Sequence, residues 1–371
     1  MPFGTQVIGD ANARPTLLAA PAFVGLGVLS TDEYTGGPDN SDGSSQEYYI
    51  NTANFYRQIR NVVIDITKVT AKGMACLHYQ VAQATSLQNV ELIASASSGG
   101  IGMFAENGSG GQISDVTFTG GAYGIFGGNQ QFTAQRLVFN GCTVGVQVIW
   151  DWGWVWKSIT MTGVGTGFKL LPNGTDTGNI GSVSVLDSSF TNVGTAILIA
   201  PPSSTPRSGS TGVVLENVAL SGVTAAVADS SGKVILDGST ALVGEWALGP
   251  TYEGSASDRS FSMGAKVGNY QRHSTLVDST GAYFERAKPQ YEDLAVNQFV
   301  SVKSIGARGD GVTDDTAAFQ AALYASLGKV LFVDAGSYIL TSTILIPSGA
   351  KIVGETWSQL VASGSYFADA R

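Results

Sequence analysis

The heptapeptide WDWGWVW, residues 150–156, sets four indoles at alternate positions, Trp150, Trp152, Trp154 and Trp156, with the carboxylate of Asp151 among them. Alternate side chains of an extended strand share a face, so the spacing predicts one aromatic surface. Four indoles are too bulky for a coil otherwise filled by Val, Ile and Phe. An exposed indole face suits the C–H face of a sugar ring, whose hydroxyls then bond to neighbouring polar groups. Packing under a loop or against another domain is the structural alternative. A carboxyl desolvated among indoles has a raised pKa and can act as an acid, which makes Asp151 a candidate acid. Bonding sugar hydroxyls and ending a turn are its other possible uses. About twenty residues earlier, Gln130 and Gln131 in NQQFT offer groups able to hold a water or a sugar hydroxyl, or to stack as a polar ladder.

Other chemistry finds less support. The acidic run SIGARGDGVTDD lacks the alternating oxygen ligands and distal Glu of an EF-hand loop, and helix capping accounts for it better. Its RGD tripeptide, Arg308 to Asp310, lies in the same capping segment. His78 and His273 are the two histidines and neither stands in a recognisable nucleophile motif. With Cys76 and Cys142 they lack metal-ligand spacing, so no metal site is expected. One disulfide and two buried thiols are both compatible with two cysteines. The Gly-rich stretches SSGGIGMF and GSGGQI are not followed by the Lys-Ser/Thr of a phosphate-binding loop, and no cofactor is indicated. Asn107 and Asn173 open glycosylation sequons, which matter only in a secreted protein.

Composition limits the partners. The net charge of −9 and the lack of basic clusters disfavour nucleic acid and anionic membrane surfaces, both of which require a positive footprint. No run of about 18 apolar residues is present to span a bilayer, and Met1 is not followed by signal-peptide zones. Only 13% of residues are charged and 48 are Gly, which favours stacked strands with tight turns over surface helices.

A repeat supplies the architecture that must position these groups. VTFTGGAYGI, LVFNGCTVGV, ITMTGVGTGF, SSFTNVGTAI and VALSGVTAAV begin at Val116, Leu137, Ile159, Ser188 and Val218, at intervals of 21, 22, 29 and 30 residues. Position three is large and apolar, position five is Gly or Asn, position nine is Gly or Ala, and position ten is apolar. Short strands separated by a turn that needs positive φ describe one rung of a solenoid. Rungs stack because none buries its inner face alone. The intervals predict an all-β fold, a right-handed parallel β-helix, with departures in length as loops leaving the stack.

The pattern fades after Ile235. Residues 240–296 read as an interdomain linker, following a first β-helix over 1–239. A second β-helix begins within 297–371, with a capping helix at TDDTAAFQAALYAS. Its cap and first-turn acids are Thr313, Asp314 and Asp315; Ala317, Phe319, Ala322 and Leu323 form its apolar side. MPFGTQVIGD at residues 1–10 matches IPSGAKIVGE at 346–355 with a constant offset of 345. The second copy has a preface of some fifty residues. On this reading the chain is a middle slice: one nearly complete β-helix without its cap, plus the cap and first coils of another.

FVSVKSIGARGDGVTDDTAAFQAAL with VLFVDAGSYILTSTILIPSGAKIVGE resembles the start of the pectate-lyase-like β-helices. MPFGTQVIGDANARPTL, FVGLGVLSTDEYTG, NFYRQIRNVVIDIT, IWDWGWVW and ERAKPQYEDL add a resemblance over nearly the whole chain to family 55 of the glycoside hydrolases, fungal exo-β-1,3-glucanases. That resemblance implies two tandem β-helices with a substrate pocket between them, and inverting hydrolysis of laminarin-type β-1,3-glucan to glucose. It implies a secreted protein, a monomer at full length, and a catalytic acid beyond Arg371. The first β-helix would contribute pocket wall, with Gln130, Gln131, Trp150, Asp151, Trp152 and Trp154 as the matching residues. The lost coils would expose strand edges and reduce solubility. A polysaccharide lyase or epimerase on the same scaffold, and a non-catalytic glucan-binding β-helix, are the alternatives; scarcity of basic residues counts against the lyase.

Overall fold

Position three of each repeat copy, Phe118, Phe139, Met161, Phe190 and Leu220, stands in parallel register with its counterpart in the next copy. All five are buried. Position ten does the same in a second sheet, aligning Ile125, Val146, Phe168, Ile197 and Val227. The chain is therefore a parallel β-solenoid in which apolar residues of equal rank stack into continuous columns. The Phe118 and Phe139 rings, for example, lie face to face with centroids 4.6 Å apart.

The small residue at position nine makes room for the next rung. A Cβ on Gly124 would meet the Phe139 ring at 2.6 Å, and one on Gly145 or Gly167 would meet Met161 or Phe190 at 3.0 Å. Where the following rung presents only Leu220, the position is Ala196. The turn residues at position five, Gly120, Gly141, Gly163, Asn192 and Gly222, all have φ between 53° and 68°, the left-handed region that the repeat required.

The computed structural model describes residues 1–371 apart from 3, 38–45, 51–52, 172–179, 203–210, 253, 255–258, 268–270, 356 and 369–371; Asn173 lies outside the described residues. The chain divides into two compact units, Met1–Lys288 and Pro289–Arg371. In the first, the second sheet runs from Gly27–Ser30 through Ala75–Gln80, Ile101–Glu106, Tyr123–Asn129, Val144–Asp151, Thr166–Leu170 and Thr195–Ile199 to Ala225–Asp229. Antiparallel Val234–Asp237 closes it. The long sheet bends in mid-strand at a column that the sequence reading missed. Asn61, Asn89, Asp115, Arg136, Ser158, Asp187 and Asn217 all have positive φ, and side-chain bonds link six of them in pairs: Asn89 to Asn61 at 2.8 Å, Arg136 to Asp115 at 2.7 Å, Asn217 to Asp187 at 2.6 Å.

The expected linker over 240–296 needs correction. Leu242–Tyr252 and Arg259–Ala265 are antiparallel strands of the long sheet. Residues 272–288 then cross its outer surface as a strap. Arg272 bonds Glu216 and Asp187, Glu285 bonds Arg136 and Ser158, and the Lys288 carbonyl accepts from Gln88 at 3.0 Å. Spaced polar residues without hydrophobic period read as linker, but here they match a charged surface rather than a core. The cysteines are free and buried, and burial pushes both thiols up, Cys142 to about 12.

The second unit holds two three-stranded parallel sheets and the helix Thr316–Ala325. Phe319, Ala322 and Leu323 enter a core with Val302, Leu331, Tyr338 and Leu340. Ala317, expected on the apolar side, is exposed. Asp315 occupies the cap position, yet its carboxylate accepts from the Arg308 and Gly309 amides at 2.7 and 2.9 Å and makes no cap bond to the helix. The RGD backbone thus serves to hold Asp315. The two matching decapeptides share a turn: Thr5 N–H donates to Pro2 O, and Ala350 N–H to Pro347 O, each at 3.2 Å. Gly4 and Gly349 have φ of 72° and 80°. No described helix is long and apolar enough to cross a membrane.

Candidate functional site

The neighbouring strands Tyr123–Asn129 and Val144–Asp151 end side by side, with Asp151 opposite Asn129 and Trp150 opposite Gly128 after a bulge. Gly128 is required there, because a Cβ would stand 2.1 Å from the Trp150 ring. The chain leaves the sheet at Asn129, whose Oδ1 accepts from Gln130 N–H at 2.8 Å. Gln130 O in turn accepts from Trp152 N–H at 2.8 Å. These bonds bring the NQQ and WDW segments together. Gln131 is exposed and donates through Nε2 to Ser109 O at 3.1 Å; neither glutamine belongs to the polar ladder, which runs along the other sheet.

Asp151 is 1% exposed. Its Oδ1 accepts from Gly181 N–H at 2.6 Å, while Oδ2 has no partner among the described residues. Burial pushes this carboxyl up to about 7, opposed by the amides of Gly181 and Ser182. At neutral pH it therefore divides between acid and carboxylate. Beside it, Trp152 is 63% exposed and Trp150 half-buried. Asn129, which the sequence reading passed over, is buried, and its Nδ2 has no partner among the described residues.

The single aromatic face is corrected by the structure. The strand ends at Asp151 and the chain turns a corner before Trp154–Lys157 joins the long sheet, so alternation restarts on a different surface. Trp154 and Trp156 point inward, 6% and 0% exposed. They stack on each other at 5.0 Å, and Trp154 stacks on Phe132 at 5.0 Å. The coil does accommodate indoles, as a continuous stack. Trp154 Nε1 donates to Asn129 O at 3.3 Å, supporting the site from beneath rather than lining it. Among the described residues no three His, Cys, Asp or Glu side chains group as metal ligands.

The family model described as rhamnogalacturonase A/epimerase, pectate lyase-like, matches residues 1–169 and 299–369. The chain belongs to this pectate-lyase-like family. Its relatives include a glucan 1,3-beta-glucosidase of Cochliobolus carbonum, 38% identical over 98% of this chain and 46% of that protein. A "Probable glucan endo-1,3-beta-glucosidase" of Arthroderma benhamiae is 33% identical over 98% of this chain and 52% of its own length. A "Non-secreted LysM effector LysM19" of Penicillium expansum is 38% identical over 99% of this chain and 29% of its own. The chain thus spans about half, or less, of these curated relatives.

In this pectate-lyase-like chain, side chains far apart in sequence meet across rungs. The clearest group missed by sequence reading is Ser30, His78 and Glu106, on three successive strands of the second sheet. His78 lies 2.8 Å from Ser30 Oγ through Nδ1 and 2.7 Å from Glu106 Oε1 through Nε2. Separations of 48 and 28 residues leave no local motif; only the rung register brings them together.

Proposed function

We propose that this chain forms the saccharide-binding wall of a β-1,3-glucan hydrolase. The observation that carries this reading is the pairing of an exposed indole, Trp152, with a buried carboxyl, Asp151, one oxygen of which has no partner among the described residues, in a chain related along its length to proteins named glucan 1,3-beta-glucosidase and glucan endo-1,3-beta-glucosidase. The indole face packs on a glucose ring, and Gln130, Gln131 and Trp150 border it. None of Gln130, Gln131, Trp150, Asp151 and Trp152 is a cation, so these residues favour a neutral sugar over a uronate, which would need a counter-charge. Inverting exo-hydrolysis requires a protonated carboxyl on the leaving oxygen and an activated water on the opposite face. Here the acid is assigned outside the 371 residues, and the wall described above contributes binding and water placement. An extracellular location and a monomeric full-length protein belong to the same proposal, although two of the relatives are named non-secreted.

Glucose release from laminarin tests this reading, comparing the 371-residue chain with the same chain extended through a complete second β-helix. Activity only in the extended form, reduced by Trp152→Ala, supports it. Turnover by the 371-residue chain alone overturns the placement of the acid and moves the role to Asp151. A second reading, glucan binding without turnover, is favoured by relatives of similar identity that carry an effector name; binding by an extended form that releases no glucose would select it.

A further inference from the structure

The Trp152 side chain is 63% exposed, and among the described residues no hydrogen bond or ring contact fixes the indole. Its direction is therefore set by the backbone that carries it. That backbone is held from both neighbouring rungs. From the rung before, Gln130 O accepts from Trp152 N–H at 2.8 Å and from Gly153 N–H at 3.2 Å. From the rung after, Gly181 N–H reaches back to two oxygens of Asp151, the carboxyl Oδ1 at 2.6 Å and the main-chain O at 3.0 Å. Asp151 and Ile180 pair as a parallel bridge. Gly181 O accepts in turn from Gly212 N–H at 2.9 Å, which ties the corner into the stack.

Gly181 closes on the Trp152 peptide because it has no side chain. A Cβ there would lie 2.4 Å from Trp152 O and 3.1 Å from Asp151 O. The φ of Gly181 is outside the left-handed region, so an alanine would meet that contact without backbone strain of its own. Among the described residues, the Asp151 carboxyl is the only side chain that bonds residues 151–153 to the rung after. An aromatic face that has to be ordered when the ligand arrives loses part of its contact energy to that ordering. A corner fixed beforehand avoids the loss.

We propose that Asp151 and Gly181 are positioning residues, which act through the corner peptide to hold the Trp152 indole in the direction from which it meets a sugar ring. The proposal rests on the saccharide-wall reading above, and requires neither residue to touch the sugar. Calorimetric titration of the 371-residue protein with laminarihexaose tests it, using Asp151→Ala, Asp151→Asn, Gly181→Ala, Trp152→Ala and the double variant Asp151→Ala with Trp152→Ala. Asp151→Ala keeps the main-chain acceptor for Gly181 N–H, so no buried amide is orphaned. Asp151→Ala and Gly181→Ala are each expected to weaken binding about five-fold, the scale of ordering one side chain on association. Asp151→Asn, which restores an acceptor in place of Oδ1, recovers the affinity. On the Trp152→Ala background, Asp151→Ala adds no further loss, because its effect passes through the indole. A Gly181→Ala chain that fails to fold leaves the Asp151 cycle to decide. Wild-type affinity in Asp151→Ala, with binding weakened in Trp152→Ala, overturns the proposal and leaves the wall standing. A loss of equal size from Asp151→Ala on both backgrounds also overturns it, since the carboxyl then acts independently of the indole. No binding by the wild type, or unchanged binding in Trp152→Ala, removes the wall and the proposal together.

Discussion

The Arg272 guanidinium lies 2.5 Å from an Asp187 carboxylate oxygen across 85 residues of sequence, tying the strap over 272–288 to the bend column of the long sheet. Asp187 also accepts from Asn217 at 2.6 Å and Tyr283 N–H at 3.0 Å, and Lys157 lies 3.5 Å away. Arg272 covers the Tyr283 ring at 3.9 Å. One ion pair thus joins rung, strap and neighbouring ladder.

Arg272→Ala is expected to destabilise the first unit by about 2–3 kcal/mol, below the usual cost of breaking a fully buried pair because Lys157 remains. The check is urea unfolding, with Asp187→Ala and the double variant completing a cycle. Burial pushes the Asp187 carboxyl up, but its bonds to Asn217, Arg272 and Tyr283 outweigh this and hold it below the usual range. The folded pKa is depressed. The resulting stability is present above the unfolded value near 3.9 and is lost as pH falls through the folded pKa. Strap release below about pH 4, read by proteolysis within 272–288, is the expected sign.

Asp151 has the opposite sign. Its folded pKa of about 7 exceeds the unfolded value, so the folded state binds the extra proton. Stability therefore declines as pH rises from about 4 to about 7 and is level above. Asp151→Asn keeps an acceptor for Gly181 N–H and removes this slope, gaining roughly 2–4 kcal/mol over wild type at pH 8 and little at pH 4. Denaturant midpoints at the two pH values decide it; parallel curves would reject the raised pKa.

The four indoles separate by function and stability. Trp152→Ala should leave thermal unfolding unchanged, since the side chain is 63% exposed, and weaken laminarin-oligosaccharide binding about ten-fold. Trp154→Ala opens the internal stack and costs about 3–5 kcal/mol. Tryptophan fluorescence should show quenching by the sugar lost in the first variant and retained in the second.

Two glycines test the rung packing. Gly124→Ala drives a methyl to 2.6 Å from the Phe139 ring and should cost about 1–3 kcal/mol by overpacking. Adding Phe139→Leu should recover part of it. Gly141→Ala meets open space at φ 64° and should cost only the left-handed strain, about 1–2 kcal/mol, with no rescue from Phe139→Leu.

The sequence by itself determined the solenoid. Phe118, Phe139, Met161, Phe190 and Leu220 recur with a positive-φ turn residue two places later, and a short repeat that cannot bury its own face has to stack. The match between the segments around Gly4 and Gly349 was equally legible, and the turn they share follows from it because a local turn depends on local residues. Tertiary structure alone decided where each side chain of WDWGWVW points, since alternation holds within a strand and the corner after Asp151 resets it. It alone decided that 272–288 is a strap, because ion pairs leave no periodicity in the chain that makes them. It also brought Ser30, His78 and Glu106 together. Register between rungs sets those meetings, and it is fixed by the summed packing of the columns rather than by any segment that can be read alone.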